Sequence, residues 1–464
     1  MAIIGFMNFA GRTDKTDDTG KTDDTDNTED LLVLRPGDPG YDEELAGFQT
    51  GFAQRPAVVF AACSAGDVIA AVRYAAAEQL PIGVQATGHG LPGAFEGGVL
   101  VTTKRMDKVT VDPEARTVRV QAGVRWGQVV AAAGPYGLAP LNGSAPGVGA
   151  VSSTLCGGLS ILAREFGYAA DHVRSLDIVT PDGRLRHVTP ESEPDLYWAL
   201  LGGGHNFGVV TGLEIDLVPV KTLYGGAVSF DGREVDPAAL LRAYGEWTRT
   251  VPDGLTSSFA AVPYPDIPAL PPQLRGRYVV SVRVAYTGAD GEQLVAPLRE
   301  FGPVLADSLR VMPYTESHTI HGDPDFPHAY YGDSAVLSEL DAEKAGELLA
   351  RTGPDEGGPM CVVQINHLGG ALARPAPNSV PFREGRFLVR LLAVGDRGAA
   401  RAVLDPAFAL LAPVTIGRAL NFAFGAGDRT DRLYDAATRK RLAGLKSQYD
   451  PANLFRRNYG FSAC

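Results

Sequence analysis

The sequence predicts an α+β protein of two domains, the second a mostly antiparallel sheet flanked by helices. Three observations predict it. At 464 residues the chain exceeds a single ordinary core of roughly 100–200 residues. From Pro56 to about Val220, short strands, helices and glycine turns alternate. Past residues 219–226 the texture changes to longer amphipathic helices and well-formed strands. Domains are therefore drawn at 32–220 and 221–410. Residues 411–464 form a C-terminal segment, and 1–31 an acidic tail.

Taken in order, residues 11–30 read GRTDKTDDTGKTDDTDNTED, with almost nothing to bury, so the tail is expected to be disordered. Order should begin near Leu32-Val33-Leu34. Residues 57–61 form a strand, and Ser64 is an N-cap for an amphipathic helix over 67–79. A second strand, 81–84, runs straight into Thr87-Gly88-His89-Gly90. Strands follow at 98–102, 108–112 and 117–121, then a helix at 126–133. Residues 176–180 and 185–188 flank Pro181-Asp182-Gly183, a hairpin turn by composition. A helix at 194–201 precedes a strand at 209–217. In the second domain, helices are expected over 237–249, 291–300 and 341–351, and strands over 277–285, 360–367 and 386–394. A helix over 428–449 closes the chain.

Composition narrows the function. Hydrophobic residues at 45% and charged residues at 21% describe a globular chain. The net charge of −12, to which eight acids against three bases in residues 1–30 contribute, gives no electrostatic footprint for nucleic acid or an anionic membrane. Cys63, Cys156, Cys361 and Cys464 form no CxxC pair, which favours a reducing compartment. Met1–Ala10 is apolar but lacks the basic flank of a secretory signal. A cytoplasmic protein, monomeric or weakly dimeric, is expected, with no metal.

Three small-residue segments carry the chemistry. Gly88-His89-Gly90-Leu91-Pro92-Gly93 follows a strand but leads into another strand, where a nicotinamide fold requires a helix. Gly202-Gly203-Gly204-His205-Asn206-Phe207-Gly208 lies between a helix and a strand, the reverse of the Rossmann order. Gly143-Ser144-Ala145-Pro146-Gly147-Val148-Gly149 continues through Ser152-Ser153-Thr154 to Gly157-Gly158. Such backbone can turn runs of N–H groups towards a pyrophosphate, and small side chains line a flat ligand well.

These residues resemble the PCMH-type FAD-binding domain of the vanillyl-alcohol-oxidase class, and specifically the berberine-bridge-enzyme-like FAD-linked oxidases of secondary metabolism, antibiotic biosynthesis included. The resemblance rests on Arg55-Pro56-Ala57, Thr87-Gly88-His89-Gly90, Gly157-Gly158-Leu159, Phe166-Gly167-Tyr168-Ala169-Ala170-Asp171, Asp195-Leu196-Tyr197-Trp198-Ala199 and Gly202 to Thr211. It closes with Tyr449-Asp450-Pro451-Ala452-Asn453-Leu454-Phe455-Arg456-Arg457-Asn458. It implies that 32–220 bind FAD, that the second domain lays its sheet over the flavin, and that 411–464 return to the first domain. The implied cofactor contacts are Gln85, Ala86, Thr87, Gly88, His89, Gly90, Ala145, Gly149, Ser152, Ser153, Gly157, Gly158, Gly208, Val209, Val210, Asn421 and Asn458. His89 aligns with the histidine that often bonds covalently to the flavin. The place of a second, cysteine tether holds Ala145, so a single link is expected.

The resemblance also implies oxidation of a small molecule by hydride transfer to the flavin, with O2 as acceptor. Around 360–370, period-two alternation puts Gln364 and Asn366 on one face. Both are polar, neither is basic. The family often has a tyrosine two residues before its asparagine, but Ala419 stands there, which leaves the base open. A flavin-dependent cyclase, eliminase or oxygenase therefore stays as the alternative. The stretch 318–331, with His318, His321, His328, Asp323 and Asp325, reads as a solvated surface loop, as a loop over the substrate with Tyr330 or Tyr331 reaching in, or as a metal site. Tyr331 joins Gln364 and Asn366 as a candidate catalytic residue.

Overall fold

The computed structural model describes residues 31–461 except 269, 271, 355–358 and 426–428. The disorder expected of 1–31 lies, but for Leu31, outside the described residues. No helix among those described is long and apolar enough to cross a membrane.

The N-terminal unit holds two main sheets. In the first, Val58–Ala61 and Ile82–Gln85 flank Val99–Thr102 in parallel, and Leu32–Leu34 pairs antiparallel at the edge. All four residues of Val58–Ala61 and of Val99–Thr102 are buried, as expected of parallel strands covered on both faces. The helix Ala65–Ala77 makes the crossover. Its start is fixed by a reciprocal box in which Ser64 Oγ accepts from Asp67 N at 3.2 Å and Asp67 Oδ2 accepts from Ser64 N at 2.9 Å.

The second sheet is antiparallel, in the order Leu185–Val188, Val173–Val179, Val209–Asp216, Thr117–Gln121, Val109–Asp112. Its first hairpin turns at Pro181-Asp182-Gly183, where Gly183 supplies a φ of 69°.

The second unit is a nine-stranded antiparallel sheet. Its central strands run Thr222–Asp231, Tyr278–Tyr286, Thr256–Pro263, Cys361–His367, Phe387–Val394 and Tyr330–Leu337, with Thr415–Gly417 at the far edge. The helices Pro237–Trp247, Ala342–Thr352 and Arg397–Leu411 cover one face. Val363 and Ile365, both fully buried, point to that side. The alternate residues of the same strand face the N-terminal unit.

Two expected elements differ, and one helix stands where none was expected. Pro297 removes an N–H donor, so 291–300 divides into the short helix Gly291–Val295 and a tighter turn, Ala296–Glu300. The closing helix is Ala436–Tyr449, starting where Asp435 accepts from the N–H groups of Ala437 and Thr438. The helix Arg397–Leu411 has no counterpart in the sequence reading, because Pro406 interrupts its pattern.

The C-terminal segment and the second unit are both bonded to the first unit. Ile82 N donates to the carbonyl of Leu454 at 2.8 Å, so the C-terminal segment lies against the parallel sheet, with Leu454 and Phe455 buried there. Arg164, only 4% exposed, donates to Leu255 O at 2.8 Å, to Leu368 O and to His367 Nε2 at 3.1 Å.

Candidate active site

A cavity of about 2070 Å³ opens between the two units. A pocket for one drug-sized ligand measures roughly 300–1,000 Å³, so this one has room for a nucleotide-sized group and a substrate together.

One wall is the glycine loop. Its carbonyls are tied down: Phe48 N donates to Thr87 O at 2.9 Å and Gln49 N to Gly88 O at 3.1 Å. The N–H groups of Thr87, Gly88, His89 and Gly90 have no partner among the described residues and are free for an anionic ligand. Gly88, at φ 72°, passes so close to Gly47 that a Cβ would stand 2.9 Å from its Cα. This cradle fits a pyrophosphate.

His89 lies in the same wall. Its ring stacks on Phe48 at 3.9 Å and 12°, and Nδ1 is 2.7 Å from Thr87 Oγ1. Nε2 has no hydrogen bond among the described residues. Burial first, then the charges of Arg125 and His328, push its pKa down to about 4, so the ring is neutral at physiological pH.

Fourteen of the residues expected at the site line this cavity: Gln85, Ala86, Thr87, Gly88, His89, Gly90, Ala145, Ser152, Ser153, Gly158, Gln364, Asn366, Asn421 and Asn458. Asn421 acts on the wall itself. Its Oδ1 accepts from Gly158 N at 3.0 Å and its Nδ2 donates to Ser153 O at 2.9 Å, pinning that turn. Asn458 Nδ2 donates to His205 O at 2.6 Å. Gln364 Nε2 and Asn366 Oδ1 are sealed from solvent without partners, as is Gln85 Oε1. Unmatched buried polar atoms at a cavity are where a ligand's own groups fit.

Six expected residues do not line it. Gly208, at φ 148°, packs where a Cβ would come within 2.3 Å of Val179 O; close backbone packing, not phosphate binding, requires the glycine. Val209 and Val210 are buried in the sheet behind it. Gly149 lies beneath the loop, facing Ala86 and Thr87, and Gly157 turns towards Val380. Tyr331 is fully buried on the helix side, near the Arg397 guanidinium. The strand begins at Tyr330, so it is Tyr330 that reaches the cavity and donates to His89 O at 2.5 Å.

The stretch 318–331 is an exposed loop over much of its length, His318 and Gly322 to Asp325 included, and it also borders the cavity. It begins in the tight helix Tyr314–Ile320, anchored by the Tyr314 hydroxyl at 2.7 Å from both Pro140 O and Asn142 Oδ1, and then lines the cavity. Asp323 accepts from Ser144 Oγ across the cleft. His321 Nδ1 is buried without a partner. Burial and Arg283 lower the pKa of His321, and Asp323 opposes them. Among the described residues no three His, Cys, Asp or Glu side chains converge as metal ligands. Cys156 borders the cavity, but burial pushes its thiol up to about 12, leaving it neutral and unreactive.

Sequence reasoning misses Gly47-Phe48, Arg283 and Arg390 on the lining. The arginines carried a signal: each is the lone charge in an otherwise apolar or small strand.

The buried neutral histidines make stability depend on pH. Folding holds His89 and His205 near 4 and His367 near 3, against 6.5 when unfolded. Between these values the unfolded chain binds more protons, so stability falls on acidification from about 6.5 to about 4. Denaturant midpoints measured across that window should drop steadily. A flat profile would show that these rings do not stay neutral.

Residues 56–189 match a family described as FAD binding domain. (R)-6-hydroxynicotine oxidase of Paenarthrobacter nicotinovorans is 28% identical, over 92% of this chain and 95% of its own. The crystal structure of 6-hydroxy-D-nicotine oxidase from Arthrobacter nicotinovorans superposes with a TM-score of 0.81 at 25% identity, covering 93% of this chain and 98% of that one. The BBE-like 1 protein of Physcomitrella patens shares the fold, with a TM-score of 0.78 at 16% identity over 94% and 98%. Fold and site together define an FAD-dependent oxidoreductase. Within that class, the chain is similar in sequence to FAD-linked oxidases and shares its fold with a BBE-like protein.

Proposed function

We propose that this chain is an oxidase of a secondary-metabolite intermediate, with FAD tethered through His89 and O2 as electron acceptor. One observation carries the reading: the glycine cradle and the polar face bearing Gln364 and Asn366 border the same cavity. Bound there, FAD would supply the hydride acceptor and the means of returning electrons to O2 as hydrogen peroxide. The remaining work falls to side chains. Thr87 to Gly90 offer N–H groups to the pyrophosphate. Gln364 and Asn366 hold the substrate's polar groups, and as neutral amides they orient without removing a proton. His321 is the group suited to take that proton: neutral, in the cavity, with Nδ1 unpartnered.

Thr87 occupies His89 Nδ1, so Nε2 is the atom left for the tether. The neutral Cys156 and the presence of Ala145 support one link and no second. Acid precipitation of the parent protein should leave a yellow pellet, whereas His89→Ala should release its flavin into the supernatant. Complete release from the parent would remove the tether from the proposal and leave the FAD site standing.

The function itself is tested by anaerobic bleaching of the flavin against polyketide, peptide, sugar and alkaloid intermediates, followed by oxygen uptake and peroxide measurement. Turnover without oxygen consumption would instead support a cyclase or eliminase.

A further inference from the structure

The cavity face of the nine-stranded sheet carries two half-buried arginines, Arg283 and Arg390, in strands with no other charge, Tyr278–Tyr286 and Phe387–Val394. A guanidinium moved out of water needs compensation from a partner. Among the described residues, neither Arg283 nor Arg390 makes a side-chain hydrogen bond or ion pair. Arg390 is nonetheless held in place: the Phe422 ring lies 4.0 Å from its guanidinium carbon, and its Nε is sealed from solvent with no acceptor. Ser258 pairs with Arg283 in register and Gln364 with Arg390, and Ser258 Oγ and Gln364 Nε2 also lack partners. Donors therefore converge from four adjacent strands.

One carboxylate lies within electrostatic reach of both arginines. Asp323 interacts with each, but accepts its hydrogen bond from Ser144 Oγ. Burial lowers both arginine pKa values, Arg390 to about 10, and both remain charged at physiological pH. His321 is neutral, and Tyr264, the other titratable group facing Arg283 and Asp323, has its pKa raised by burial and is neutral too. The cluster thus holds two positive charges against one negative.

We propose that the substrate carries a carboxylate, bound between Arg283 and Arg390 with Ser258 and Gln364 as further donors. Calling that ligand the substrate rests on the oxidase reading above; the anion site itself does not. The charge balance selects the class of anion. A monoanionic carboxylate brings the cluster to neutrality, whereas a phosphate monoester, with nearly two charges, leaves a buried excess of negative charge.

The test is calorimetric titration of the FAD-loaded protein with sodium benzoate, benzamide and inorganic phosphate at fixed ionic strength, which needs no turnover. Benzoate should bind at least roughly tenfold more tightly than benzamide or phosphate, as charge-assisted hydrogen bonds require. Arg283→Gln and Arg390→Gln should each erase that preference while leaving benzamide unchanged. Arg390→Lys should restore part of it. Asp323→Asn, which removes the competing carboxylate, should tighten benzoate, an outcome a merely structural role would not give. Melting temperatures near the parent's identify the variants that fold, and Asp323→Asn serves if the arginine variants do not. Equal binding of benzoate and benzamide, no saturable binding of benzoate, tighter binding of phosphate, or insensitivity to both arginines and to Asp323 would overturn the proposal. If carboxylates bind but no compound bleaches the flavin, the oxidase reading fails and the anion site survives.

Discussion

Replacing His321 by Gln is expected to lower kcat by roughly 10²–10⁴-fold, the usual contribution of a positioned general base, with FAD content unchanged. Tyr314–Ile320 is a tight helix pinned to Pro140 and Asn142, which fixes the start of the segment that carries His321 into the cleft. Burial and the neighbouring Arg283 disfavour the imidazolium, and Asp323 favours it. A base in that balance is unprotonated at rest and is stabilised by the nearby carboxylate once it has taken a proton. The pH dependence follows from the sign. The active form is the unprotonated ring and its pKa is lowered from 6.5, so activity should hold as pH falls through 6.5 and decline only below it. Asp323→Asn removes the influence that raises the pKa and should move that acid limb still lower. If His321→Gln retains near-parental kcat, or its acid limb is unmoved, another group takes the proton.

Much of this site was legible before folding because it is local. Thr87 to Gly90 follow a strand and are rich in glycine, and Ser64 with Asp67 spells its own cap. The alternation that puts Gln364 and Asn366 together holds because the strand Cys361–His367 is regular. The failures have physical causes too. Glycine is required wherever backbone comes close, and sequence does not distinguish approach to a phosphate from approach to a neighbouring strand. Gly88 is free to meet a ligand, but Gly208 meets Val179. Tyr330 and Tyr331 point to opposite sides, and the choice between them depends on where the strand begins. Reading 318–331 as a loop hid that start. Arg283 and Arg390 are far apart in sequence and meet only through the sheet order. A single charge in an apolar strand is a signal that such a residue faces something other than the core, and it could have been read.

Breaking the buried pair Asp333–Arg418 is expected to destabilise the protein by about 3–5 kcal/mol, whereas removing both charges together should cost little. Asp333 is 3% and Arg418 7% exposed. Arg418 donates through Nε to Asp333 Oδ1 at 3.0 Å and through Nη2 to Oδ2, a two-point contact. Asp333 Oδ1 also accepts from Ser334 N at 2.8 Å, and Arg418 Nη1 donates to Arg429 O at 2.8 Å. The pair thus ties the strand Tyr330–Leu337, which presents Tyr330 to His89, to the segment leading to Asn421. Arg418→Met leaves a carboxylate in the interior with its main partner gone, and the residual attraction of Arg429 at 3.5 Å is too distant to replace it. Asp333→Leu leaves the guanidinium in the same position. Denaturant midpoints of the two single variants and of the double variant form a cycle. Large single losses with a mild double loss show that the cost lies in the orphaned charge. Additive losses would show instead that each side chain contributes through separate contacts, and that the bond between them adds little to the tie between strand and cavity wall.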